Sequence, residues 1–294
     1  MSGAAELASG KGHEDENFPV ASRLVSARHR APIMAFYRFA RAADDVADHA
    51  SALPEDKFAQ LDALERGLRG DRAAATEGWA LHLVLRERGL TEQHGHDLLT
   101  AFRQDVTKRR YRDWEDLLRY CRYSATPVGR FVLDVHGESP AIWPMNDALC
   151  DALQVINHLQ DCAKDYRALD RVYIPEDALT EAGIGVESLA AERASPALRG
   201  VIAGLARRTA GLLDRSRPFS RGIDDLRLAL EVAVIQRLAE SLNGRLLVRD
   251  PLRDRVHHRK GEALSLAMLA ALSALPGRLG RRKTGAALAA GTRG

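Results

Sequence analysis

Cysteine is scarce in this 294-residue chain. There are three, Cys121, Cys150 and Cys162, an odd number with no CxxC spacing. That excludes a disulfide framework and a cysteine zinc site, and it suits a reducing cytosol. One-sided charge is also lacking: 43 basic residues face 40 acidic ones, for a net +3. The basic residues are scattered among acids as far as about residue 275, so no stripe reads as a nucleic-acid footprint. No apolar run has the length of a membrane span. The first seventeen residues are small, polar and acidic rather than a secretion signal, so the expected location is the cytoplasm. Neither GxxxxGK[ST] nor GxGxxG occurs, which removes the phosphate-loop and dinucleotide fingerprints. Ser22 and Ser124 have no His/Asp arrangement beside them, so no nucleophilic triad is available. Aromatics make up only 5% and β-branched runs are few.

What is present is Ala, Leu and Arg, a composition that favours helix throughout. Residues 1–16 read as a mobile arm, and Asn17-Phe18-Pro19 opens a first helix with Asn17 as cap. A second helix is expected to follow Pro32. Further helical patterns cover 61–68, stopped by Gly70, then 77–88, closed by Gly89, and 91–108. Asp113 opens a helix that Thr126-Pro127 must bend or break before it continues to Gly137. The next begins at Asp147 and ends near Ala168. Arg171–Pro175 is extended, 176–196 is loop-rich, and helical patterns return at 197–216, 222–247 and 260–275. With no internal repeat and no linker, one all-α domain over 17–275 is the economical reading, followed by a basic, disordered tail at 276–294. The last helix and its Arg278, Arg281, Arg282 and Lys283 suit peripheral contact with an anionic bilayer, but a core-closing helix with a frayed tail is the favoured reading.

Two stretches call for a chemical explanation. In Gln154-Val-Ile-Asn157-His-Leu-Gln-Asp161-Cys-Ala-Lys-Asp165 the four polar groups lie on one stripe of an otherwise apolar helix. Tyr37-x3-Arg41-x2-Asp44-Asp45-x2-Asp48 repeats the pattern, with carboxylates at i and i+4. Like charges at that spacing repel by about 0.2–0.5 kcal/mol on an exposed helix, and by more when desolvated. A hard divalent cation reverses the penalty, and all-oxygen ligands suit Mg²⁺. Two such stripes facing each other across a bundle suggest a diphosphate site. The bland alternative is a pair of solvated helix faces. His94 and His96, two residues apart, point to different sides and read as solvated rather than as a metal pair. His158 rotates off the acidic stripe and reads as a packed histidine.

With both motifs in place, the chain resembles the squalene/phytoene synthase family, the head-to-head prenyl transferases. The resemblance runs from about Asn17 to Asn243. It rests on the two acidic motifs, on Tyr120-Cys-x7-Gly129 and on Arg171-Val-Tyr173-Ile-Pro175. Asn17-Phe-Pro-Val-Ala-Ser22 and Tyr120-Cys-Arg-Tyr-Ser-Ala125 look most like the branch that makes hydroxysqualene for hopanoids. The resemblance implies a single isoprenoid-synthase helical bundle around a central cavity. It implies Mg²⁺ held by Asp44, Asp48, Asp161 and Asp165 with Asn157 in support, and Arg41 and Arg171 on phosphate oxygens. Tyr37, Tyr120 and Gln154 would line the reaction chamber. Phe18, Ser124 and Tyr173 would contact substrate. Asp45 faces another way and is the weaker ligand.

Two departures stand out. Glu14-Asp15-Glu16-Asn17 replaces a His-Ser-type segment common in relatives, and Gln160 replaces an arginine before the second motif. Both remove groups suited to a diphosphate, so ionisation of one diphosphate is favoured over condensation of two. The expected substrate is presqualene diphosphate, delivered by a synthase that makes it, with the product passing to a reductase. Two rivals stay open: head-to-head condensation of two prenyl diphosphates, and a silent helical assembly factor that has kept the fold.

Overall fold

The structure, a computed structural model, describes residues 26–258 together with 261, 262, 265, 266 and 270. The expected arm, Phe18 and the basic tail lie outside the described residues, as does most of the 260–275 helix. Eleven α-helices succeed one another among the described residues: α1 (Ala27–Asp48), α2 (Pro54–Leu68), α3 (Thr76–Arg88), α4 (Gln93–Thr107), α5 (Trp114–Ser124), α6 (Thr126–His136), α7 (Trp143–Leu169), α8 (Glu176–Glu181), α9 (Pro196–Ser216), α10 (Phe219–Gly222) and α11 (Leu226–Leu246). No strand forms among them. An isolated parallel bridge joins Arg110 to Val172.

Local chemistry sets the helix ends. Gly89 and Gly137 close α3 and α6 with φ of 63° and 72°, a left-handed conformation that glycine adopts without steric cost. Asp113, Ser195 and Asp225 cap α5, α9 and α11, each side chain accepting a backbone N–H three residues on. A cap of this kind is worth about 1 kcal/mol. The chain breaks at Ala125, and Pro127 is accommodated in the first turn of α6, where its missing N–H has no intrahelical partner in any case.

Three sequence expectations are corrected. No helix begins after Pro32; α1 starts at Ala27 and runs through it. A proline frees the carbonyl four residues back, here that of Arg28, and the Arg88 guanidinium donates to that oxygen at 2.8 Å. The long α7 starts at Trp143, ahead of Asp147, with Pro144 in its first turn. The 176–196 passage contains α8 and a 3₁₀ turn over Val186–Ala190.

At 27 residues, α7 is the longest helix among the described residues and spans about 40 Å. It lies among α5, α6, α9 and α11, in a core that includes Val155, Ile156, Leu159, Ile202, Leu205 and Leu242. A second apolar cluster joins α1 to α4, and Phe36 of α1 stacks on Phe131 of α6 with centroids 4.0 Å apart. After α7 the chain turns at Asp170, the one described non-glycine residue with positive φ (51°). Residues 171–177 then run beside 109–112, with Val172 N donating to Arg109 O and Glu176 N to Tyr111 O, both at 2.9 Å. That strand-like return carries Arg171 back over the ends of α7 and α1.

Candidate active site

Between α1, α6, α7 and α11 lies a cavity of about 370 Å³. Its wall is mostly apolar, with Ile33, Phe36, Val132, Leu149 and Leu228 among the lining residues. Tyr37, Ser124 and Gln154 also line it, three of the residues assigned to substrate or catalysis from sequence.

Tyr37 and Gln154 are the first members of the two polar stripes. Each stripe extends eleven residues from there, to Asp48 on α1 and to Asp165 on α7, three helical turns or about 16 Å. Both helices therefore lead from the apolar chamber to an acidic end. Asp48 is the last residue of α1, whose final turn has no basic residue, and Asp165 lies four residues before the end of α7. A helix C-terminus already carries partial negative charge. Stacking carboxylates there makes a place that needs cations.

Arg171 joins the two ends. Its side chain is buried and donates to Asp48 Oδ1 at 2.9 Å, to the Asp105 carbonyl at 2.9 Å and to the Tyr173 hydroxyl at 3.3 Å. Arg41 forks between Asp44 Oδ2 at 2.8 Å and Asp45 Oδ1 at 2.6 Å. Asp45, the weaker candidate, thus orients the arginine.

The carboxylates crowd one another. Burial, then the neighbouring Asp48, hold Asp44 well above the ordinary carboxylate range. Its side chain keeps 38% exposure, so it is ringed by protein yet reaches solvent. Asp165 is pushed up to about 7 by burial first and Asp161 second, and Asp48 of the opposite stripe adds to the rise. The two stripes therefore share one electrostatic field. Protonating such acids or supplying a cation relieves the same strain. The oxygen-only donor set fits Mg²⁺. Asn157 and Asp161 continue the α7 stripe between Gln154 and Asp165.

Tyr120 and Tyr173 are not among the residues lining the cavity. Tyr120 donates to Asp105 Oδ2 at 2.8 Å, and Tyr173 donates to Oδ1 at 3.4 Å. The Tyr173 ring stacks on His158 at 3.4 Å between centroids, so His158 is a packed histidine, its pKa lowered to about 3 by burial and by Arg171. His94 corrects the solvated reading: at 3% exposure it bonds Asp134 Oδ2 at 2.8 Å. Gln160 is buried and donates to the Val256 carbonyl.

Sequence reasoning missed two acids. Asp105 anchors Arg171, Tyr120 and Tyr173, and burial lifts its pKa to about 6 even against Arg171. Glu231 is buried in the chamber wall. A helical wheel carries the signal for both. Asp105 lies seven residues after Leu98, on the core stripe, and Glu231 lies between Leu228 and Ile235 on the apolar face of α11.

The described residues contain no helix long and apolar enough to cross a membrane. The family model for squalene/phytoene synthase matches residues 12–262. The hydroxysqualene synthase of Zymomonas mobilis subsp. mobilis (strain ATCC 31821 / ZM4 / CP4) is 55% identical, with 92% of each chain covered. The hydroxysqualene synthase of Rhodopseudomonas palustris (strain ATCC BAA-98 / CGA009) is 51% identical over 97% of this chain and 96% of that one. Among solved structures, squalene synthase HpnC from Alicyclobacillus acidocaldarius superposes with a TM-score of 0.70 at 33% identity, covering 83% of this chain and 91% of the other. The chain belongs to the squalene/phytoene synthase family of enzymes.

Proposed function

We propose that the protein ionises presqualene diphosphate, lets the resulting cation rearrange and captures it with water, giving hydroxysqualene and free diphosphate. The C–O bond to diphosphate breaks and the electron pair leaves with the phosphate. Water oxygen forms the new C–O bond and gives up a proton. The observation that carries this reading is the 51–55% identity, over nearly the whole chain, to relatives named hydroxysqualene synthase. Two helices that lead from an apolar chamber to acidic ends suit the chemistry, because charge separates at one end and the hydrocarbon is held dry at the other.

Asp44, Asp48, Asp161 and Asp165, with Asn157, would hold Mg²⁺. The chemistry a bound Mg²⁺ supplies is neutralisation of charge developing on the departing diphosphate. Arg41 and Arg171 take phosphate oxygens by exchanging their carboxylate partners for them. Tyr37 at the chamber wall offers its ring to the cation, a contact worth up to about 2 kcal/mol when desolvated. Tyr120 and Tyr173 act from behind, holding Asp105 and through it Arg171. Ser124, Gln154 and Glu231 are polar groups in the wall suited to hold the water. No hydride donor is needed, in keeping with the missing nicotinamide fingerprint. The substrate would come from a presqualene diphosphate synthase, and the product would pass to a reductase.

Purified protein with Mg²⁺ is offered presqualene diphosphate or farnesyl diphosphate. Hydroxysqualene from the first and no turnover of the second is expected. Conversion of farnesyl diphosphate alone to a condensed product would defeat the proposal in favour of the condensing rival. Unchanged function after Asp48→Asn or Asp161→Asn would favour the assembly-factor rival.

A further inference from the structure

Away from the acidic stripes, His29 at the start of α1, His136 at the end of α6 and Asp225 at the cap of α11 come together. One ligand atom from each lies within 4.8 Å of the others. His29 is nineteen residues before Asp48, about 28 Å along the helix, so this cluster shares nothing with the carboxylate stripes. We propose that His29, His136 and Asp225 form a second, structural metal site of the zinc class, which clamps the three helices at the far end of the chamber.

The donor chemistry selects the metal. Two imidazoles and one carboxylate suit Zn²⁺ and not Mg²⁺ or Ca²⁺. His136 Nδ1 lies 2.8 Å from the Val132 carbonyl, which only accepts, so that nitrogen carries the proton and Nε2 keeps its lone pair. His29 is buried, and its Nδ1 has no hydrogen-bond partner. Asp225 is held by its own cap bond to Leu228 N at 2.9 Å. The Glu138 carboxylate also accepts from the backbone N–H of Asp224 and Asp225 at 2.7 and 2.8 Å.

Tetrahedral zinc needs ligand atoms about 3.3 Å apart, so the two rings, now 4.1 Å between centroids, must splay slightly. Exposed Arg28, which donates to His29 Nε2 at 2.9 Å, turns away as the ring proton moves to that nitrogen. A cavity of about 320 Å³ bordered by His29 and His136 admits water as the fourth ligand. Each ligand residue sits one helical turn from a chamber-lining residue: Ile33 after His29, Val132 before His136 and Leu228 after Asp225. Filling the site therefore stiffens the chamber wall from outside.

The test uses untagged, chelator-stripped full chain in excess Mg²⁺, which occupies the oxygen sites. Co²⁺ is titrated as a visible stand-in and then displaced by Zn²⁺. One equivalent with the absorption of a tetrahedral, nitrogen-ligated ion is expected, together with a rise of several degrees in the thermal midpoint. Asp225→Asn keeps the helix cap, and His136→Asn removes one imidazole; each should lose that absorption and weaken binding at least tenfold, while Asp48→Asn leaves both intact. Wild type and the Asp225→Asn and His136→Asn variants binding Co²⁺ alike, or no nitrogen-ligated spectrum in wild type, would overturn the site.

Discussion

Replacing Arg171 with methionine removes the one cation among the described residues that pairs with both Asp48 and the buried Asp105. Truncating one partner of a buried ion pair costs about 3–5 kcal/mol, because the other charge stays behind without compensation. For a domain of this size that corresponds to roughly 10 °C in thermal midpoint. The cost must depend on pH, and its sign follows from Asp105. Its carboxyl titrates near 6 when folded, above the ordinary 3.8, so the folded state binds the extra proton between those values. Stability is lost as pH rises through that window. Arg171 lowers the folded value; without it the window extends upward and the deprotonated acid becomes harder to keep. Urea titrations of Arg171→Met and wild type at pH 5 and pH 8 should show the larger deficit at pH 8. Asp105→Asn in the Arg171→Met background should recover at least about 1 kcal/mol, the scale of coupling between contacting groups. Equal deficits at both pH values and no recovery would refute the view that Arg171 is held by Asp105.

Asp151 gives a second pH-dependent case. Burial, then Asp147, lift it to about 7 from 3.8, so stability falls as pH rises from about 4 to 7. Asp151→Asn keeps the acceptor for Thr126 and should gain up to about 4 kcal/mol at pH 8, with little gain at pH 4; thermal melts at the two pH values decide it. Gly129→Ala puts a Cβ 2.2 Å from Asn146 Oδ1 and 2.6 Å from Cys150 Sγ. Because both neighbours are short side chains on α7, the helices must part, costing about 1–3 kcal/mol and altering the chamber, which unfolding midpoints and product profiles will reveal.

Punctuation and periodicity in the sequence carried much of the architecture. Gly89 and Gly137 end helices where their left-handed geometry allows, Asp113 caps one, and Thr126-Pro127 separates α5 from α6. Pro32 misled, because its effect depends on Arg88, sixty residues beyond Arg28 in sequence, which supplies the donor that a helix would otherwise lack. The acidic stripes were legible because carboxylates at i and i+4 stand out on otherwise apolar helices. Asp105 was not, because flanking Arg103 and Lys108 make it look like a solvated charge. Its burial follows from Arg171 arriving 66 residues later along the extended return. Tyr120 looked like chamber wall from its motif alone; its hydroxyl is instead held by that same aspartate.

Whether the two stripes grip one ligand is best measured by calorimetric titration of inorganic diphosphate into the protein with Mg²⁺. The account predicts that Asp48→Asn on α1 and Asp165→Asn on α7 each weaken diphosphate binding at least tenfold. Either variant binding diphosphate as tightly as wild type would mean that the stripes do not act together.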